Sequence, residues 1–176
     1  FVNTYSGNRI LRQCDLNNVP KYEKIFGRER MLGYGLVTLN NIVYSGMHGM
    51  FLRSFNLDTK KSSRLEYDNS ISGAFSAPII PFLGSNESVW AATEKTGLAL
   101  LDQEKQRLTV APLQSINKQI DGGISGVHSL PNGKQHWLST KKGAYLFDSG
   151  RLVIIDSILA RGKEEFHKVI QGGIDS

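Results

Sequence analysis

Apolar positions in this chain fall into short runs of four to six residues, broken by clusters of Gly, Asn, Asp, Ser, Thr and Lys. Runs of that length bounded by turn residues predict β-strands rather than helices. In one stretch Val89-Trp90-Ala91-Ala92-Thr93 passes through Glu94-Lys95-Thr96 into Gly97-Leu98-Ala99-Leu100-Leu101-Asp102. In another, His136-Trp137-Leu138-Ser139-Thr140 passes through Lys141-Lys142 into Gly143-Ala144-Tyr145-Leu146-Phe147-Asp148. The two tryptophans stand 47 positions apart. The same step back from Trp90 reaches Val43 in Ile42-Val43-Tyr44-Ser45-Gly46, and a further 42 positions back lies Phe1, ahead of Val2-Asn3-Thr4. A period of about 45 residues marks a repeat architecture, in which each unit needs its neighbours to bury its apolar faces.

The units run over about 1–26, 32–67, 70–110 and 120–156, and the first lacks its opening strand. Each complete unit is expected to hold four antiparallel strands: 79–83, 88–93, 98–101 and 107–110 in the third, and 126–130, 136–140, 144–147 and 152–155 in the fourth. Pro131-Asn132-Gly133 supplies the turn between the first two strands of the fourth unit, where Asn-Gly suits positive φ. The near-continuous apolar run Ala144-Tyr145-Leu146-Phe147 calls for a strand covered on both faces. Lys168-Val169-Ile170-Gln171-Gly172-Gly173-Ile174-Asp175 resembles Lys118-Gln119-Ile120-Asp121-Gly122-Gly123-Ile124-Ser125 at an offset of 50, as if a further unit opened at 168–176.

Composition narrows the class without adding chemistry. Hydrophobic residues make up 40% of 176, with 18 glycines and no low-complexity tract, which fits a soluble all-β domain. The formal charge of +5, from 21 Lys and Arg against 16 Asp and Glu, is spread in pairs such as Lys60-Lys61, so a nucleic-acid surface is not expected. A single cysteine, Cys14, rules out an internal disulfide. No apolar run of about 18 residues is present to span a bilayer as a helix, so any membrane anchor is expected outside this stretch.

Four-stranded units of this length with an aromatic on the second strand are the pattern of β-propeller blades, and the expected fold is an all-β propeller fragment of about four repeats. Trp90, Thr93, Gly97 and Asp102, and again Trp137, Thr140, Gly143 and Asp148, resemble the two-component regulator propeller repeats. The second unit is a degenerate copy, with Val43 in the Trp place and Gly46 in the Thr place, and the first keeps Thr4. That resemblance implies the periplasmic sensor region of a bacterial hybrid histidine kinase or diguanylate cyclase. It implies a non-catalytic role in signal transduction, with a small-molecule ligand, carbohydrates included, or a protein partner, and with homodimerisation as an option. A protein-interaction scaffold is the alternative, and a propeller lyase or hydrolase acting on glycans is a third.

No enzyme motif stands out. Asp102 and Asp148 occupy equivalent repeat positions, so they are expected to cap turns rather than to form a catalytic pair. Of the four histidines, His128 and His136 lie on adjacent strands, yet no third ligand at a useful spacing accompanies them, so they are read as surface or turn residues; neither a metal nor a cofactor is expected. A propeller ligand site would sit at the channel mouth, near the connections between units and the turns between second and third strands. That places the candidates at His48, Lys95 and Lys141 in the turns, and at Tyr34, Phe75 and Asp121 near the unit openings.

Overall fold

The computed structural model describes residues 35–46, 51–67, 78–121 and 123–159, together with the backbone of three strands nearer the N-terminus. Those three, β1 (Val2–Thr4), β2 (Gly7–Gln13) and β3 (Lys21–Lys24), form an antiparallel sheet in chain order. Three four-stranded antiparallel sheets follow. Sheet I contains β4 (Leu36–Leu39), β5 (Ile42–Gly46), β6 (Phe51–Asn56) and β7 (Ser62–Glu66). Sheet II contains β8 (Ile79–Gly84), β9 (Ser88–Thr93), β10 (Gly97–Asp102) and β11 (Arg107–Thr109). Sheet III contains β12 (Ile124–Ser129), β13 (Gln135–Thr140), β14 (Gly143–Asp148) and β15 (Val153–Leu159). Among the described residues the protein is therefore all-β, with three complete four-stranded sheets and one three-stranded sheet, where about four repeats, the first without its opening strand, are expected from the sequence.

Each sheet is a meander, because consecutive strands joined by tight turns pair antiparallel at low entropic cost. Successive sheets then stack in the same strand order. First strands lie beside first strands, β4 against β8 and β8 against β12. At the far edge a parallel bridge between Tyr67 and Leu108 joins the last strands of sheets I and II.

The alternation of side chains along β9 shows why its apolar run is continuous. Val89 and Ala91 belong to the core shared with sheet I, alongside Tyr44, Leu52, Leu65 and Leu108. Trp90 and Ala92 belong to the core shared with sheet III, alongside Leu138, Tyr145 and Phe147. A strand buried on both faces has no position at which water rewards a polar side chain. On the far side of sheet I, Val43 and Phe55 form a smaller cluster with Leu36 and Leu57.

The register corrects the alignment of the second unit by one residue. Trp90 pairs with Leu100 and Trp137 with Leu146, each two residues before Asp102 and Asp148. The residue whose partner lies two before Asn56 is Tyr44, paired with Ser54. Tyr44, not Val43, holds the Trp place, and it points into the core shared with sheet II while Val43 points the other way.

The helical content among the described residues is small: a 3-10 turn at Ser85–Glu87, another at Ala111–Leu113, and the single-turn helix α1 (Gln114–Asn117). None is long and apolar enough to cross a membrane.

Candidate functional site

The turns from second to third strand and the lead-in to sheet III lie at one end of the stack. The β9–β10 turn is held from within by Thr93, whose hydroxyl oxygen accepts the backbone N–H of Thr96 at 2.9 Å and of Lys95 at 3.3 Å. Thr140 does the same for the β13–β14 turn, accepting from the N–H of Lys142 at 3.1 Å and donating to the carbonyl of Gly143 at 3.1 Å. The repeated Thr is thus a turn clamp, which fixes where Lys95 and Lys141 emerge.

Between sheets II and III the chain passes along α1 and returns towards β12. Asn117 ties this connection to sheet II as a missing strand would: its Oδ1 accepts the N–H of Leu98 at 2.7 Å, and its Nδ2 donates to the carbonyl of Leu98 at 2.9 Å. Further on, Gly123 sits at φ +68°, and a Cβ there would lie 2.0 Å from the carbonyl oxygen of Glu94. Only glycine permits both that backbone geometry and that approach.

These constraints open a cleft of about 330 Å³ between the β9–β10 turn and α1. Its size is at the lower end of ligand-binding sites, about 300 Å³ and upwards. Glu94, Lys95 and Thr96 line one side, Gln114, Asn117 and Lys118 the other, with Val110 and Ile120 as apolar surface. Both lysines are exposed, and the cleft offers polar rims and an apolar patch.

Of the residues expected at a ligand site, Lys95 lines this cleft. Asp121 lies in the connection just beyond Ile120, where its N–H donates to the Tyr145 hydroxyl at 3.1 Å and its carboxylate meets the Lys142 ammonium at 2.6 Å. Lys141 is exposed in the neighbouring β13–β14 turn, outside the cleft lining. His48, Tyr34 and Phe75 lie outside the described residues. Sequence reasoning did not single out Lys118 or Gln114, which the α1 connection brings to the cleft.

The opposite end of the stack is occupied by capping groups. Oδ1 of Asp102 accepts from the N–H groups of Glu104 and Lys105 at 3.1 and 3.0 Å, and Oδ1 of Asp148 from those of Gly150 and Arg151 at 2.9 and 3.0 Å. In sheet I Asn56 fills the same place, accepting from Asp58 and Thr59 at 2.9 and 2.8 Å. Hydrogen bonds from the Lys105 backbone and ammonium hold the Asp102 carboxyl below its usual range.

His136 departs from the surface reading. It is fully buried against sheet II, with Nδ1 2.9 Å from the Ser129 hydroxyl and Nε2 3.3 Å from that of Ser149, and its ring 4.8 Å from Phe82. Ser149 also receives the backbone N–H of Ser85 at 2.9 Å and donates to the carbonyl of Lys134 at 2.9 Å, so the cluster ties the two sheets together. His128 pairs with Trp137, one position out of step with His136, and stands exposed on the other face. The two rings therefore cannot share a ligand, and no group of three His, Cys, Asp or Glu residues among the described residues is placed to hold a metal.

No protein-family model matches the chain, and no curated protein matches it. Solved structures do, 119 chains in all, which marks the architecture as a common one. One is the crystal structure of the computationally designed Ika8 protein, similar at a TM-score of 0.50 and 12% identity over 74% of this chain. The chain spans 37% of the length of that protein, and a likeness at such low identity is one of fold alone.

Proposed function

We propose that these sheets are blades of a β-propeller and that the chain recognises a ligand without transforming it, as the periplasmic input region of a bacterial membrane signalling protein with a kinase or cyclase output. Same-order stacking of repeated four-stranded meanders supports the propeller. The resemblance of Trp90, Thr93, Gly97 and Asp102 to two-component regulator propeller repeats is what supports the signalling role. The observation that carries recognition is the cleft, whose walls come from a turn of sheet II on one side and the lead-in to sheet III on the other. A ligand seated there contacts both the turn and the connection that leads into sheet III, so its affinity depends on how that connection is set against sheet II, and binding favours one setting over another.

Two lysines at the rim against one glutamate favour an acidic ligand with hydroxyl groups, and an acidic oligosaccharide fits that description. The carboxylates that catalysis would draw on, Asp102 and Asp148, are engaged with turn amides at the far end. Titration calorimetry with alginate and pectin oligosaccharides tests the reading. Binding that disappears in Lys95→Glu combined with Lys118→Glu is the expected result. Absence of binding by every acidic sugar, or binding that survives the double substitution, refutes it, and release of new reducing ends would move the protein into the glycan-cleaving class.

A further inference from the structure

The face of sheet III that points away from sheet II is built like a face that is covered elsewhere in the fold. On sheet II the cross-strand rows Phe82, Trp90, Leu100 and Ile80, Ala92, Leu98 contribute to the core shared with sheet III. The equivalent rows on sheet III are His128, Trp137, Leu146 and Gly126, Ser139, Ala144. Trp137 and Leu146 are only half-buried, whereas Trp90 is 1% exposed. Ile158, paired with Ala144, and Val153, paired with Asp148, are 41% and 42% exposed. Trp137 and Leu146 are thus adjacent apolar partners, with Ile158 and Val153 on the same face and His128, Ser139 and Asp156 among them, and apolar side chains of this size left open on a sheet face mark an interaction surface.

The covered face of sheet II also shows what closes such a row. Part of the cover is the lead-in to sheet III, where Ile120 and Ile124 enter the same core as Trp90 and Gly123 lies against the backbone of Glu94. The sequence of that lead-in, residues 118–125, returns at 168–175 with Ile170, Gly173 and Ile174 in the corresponding places. Residues 168–175 lie outside the described part of the chain. We propose that the outer face of sheet III is the docking surface for this repeated lead-in, with Ile170 and Ile174 covering Trp137 and Leu146. Gly173 would then meet the backbone of the β13–β14 turn at Lys141, the counterpart of Glu94. This rests on the stacked-sheet part of the functional reading and not on any ligand.

Acrylamide quenching of tryptophan fluorescence in the 176-residue chain tests it. The Trp137 signal is the difference between the parent and Trp137→Phe, whose remaining Trp90 serves as the shielded reference. Ile170→Asp combined with Ile174→Asp is expected to raise the Trp137 quenching constant severalfold and leave Trp90 shielded. Gly173→Val is expected to do the same without removing apolar side chains. Unchanged Trp137 quenching in both variants overturns the proposal. So does shielding that develops only as protein concentration rises, which would give the face to a second molecule. Sugar binding at Lys95 and Lys118 is read separately, so failure of one proposal leaves the other standing.

Discussion

Trp90 of sheet II meets Phe147 of sheet III edge-on, with ring centroids 5.2 Å apart and planes at 68°. The indole N–H is satisfied at the same time, donating to the Ser88 hydroxyl at 2.8 Å, so a large apolar body is buried with no stranded polar atom. Phe82 flanks the indole on its own sheet at 6.0 Å. Trp90→Ala should cost about 3–5 kcal/mol, since it leaves a cavity in the joint that holds two sheets together. Urea unfolding followed by circular dichroism measures this, and a loss below about 1 kcal/mol would mean that the joint repacks around the gap.

Much of the fold was legible in the sequence because turn chemistry and apolar runs agree. Gly97, Asn132-Gly133 and the Asp residues delimit strands whose observed bounds lie close to the expected ones. The sequence points to Val43 where the structure has Tyr44 because sheet I lacks the Trp that marks the place in sheets II and III. Only Asn56, which caps its turn as the aspartates do, would have set the register. The burial of His136 is not legible because a histidine gives no apolar signal, although alternation along β13 requires that it and Trp137 face opposite ways. Lys118 and Gln114 were not legible at all: α1 has four residues, too few for a helical period, and its path across the sheet is set by the Asn117 bonds to Leu98.

Gly123 and Gly133 separate packing from backbone preference. Both hold positive φ, +68° and +65°, but a Cβ at Gly133 meets nothing within 4 Å while one at Gly123 strikes the carbonyl of Glu94. Gly133→Ala should therefore lose only the left-handed penalty, about 1–2 kcal/mol. Gly123→Ala should lose distinctly more and should also weaken any ligand bound in the cleft it borders. Equal losses in parallel thermal melts would show that the lead-in shifts away from Glu94 freely.

The capping role of Asp148 predicts a difference between two substitutions. Asp148→Ala strands the N–H groups of Gly150 and Arg151, at a cost of about 1.5–3 kcal/mol for bonds to a charged acceptor. Asp148→Asn keeps an acceptor oxygen and should recover most of that loss, because Asn56 already performs the task in sheet I. Chemical denaturation of both variants decides the matter. If the Asn variant is as unstable as the Ala variant, the charge rather than the hydrogen bonds is what the turn uses.

Acid should loosen the joint between sheets II and III through His136. Burial depresses its pKa below the ordinary 6.5, and the nearby Asp148 carboxylate opposes this more weakly. With Ser149 donating its proton to the Lys134 carbonyl, Nε2–H of His136 donates to the Ser149 oxygen and Nδ1 accepts from Ser129, which satisfies the neutral ring. Sheet II faces the ring with Phe82 and with the backbone N–H of Ser85 bound to Ser149, neither of them charged. A depressed pKa means that the unfolded chain binds the proton more readily than the folded one. The stabilisation is thus complete above 6.5 and is lost progressively as pH falls from there towards the folded value. Urea midpoints measured from about pH 7.5 down to about pH 5 should fall, and His136→Gln should flatten that part of the profile. A profile that keeps its slope in the Gln variant would assign the acid sensitivity to other groups.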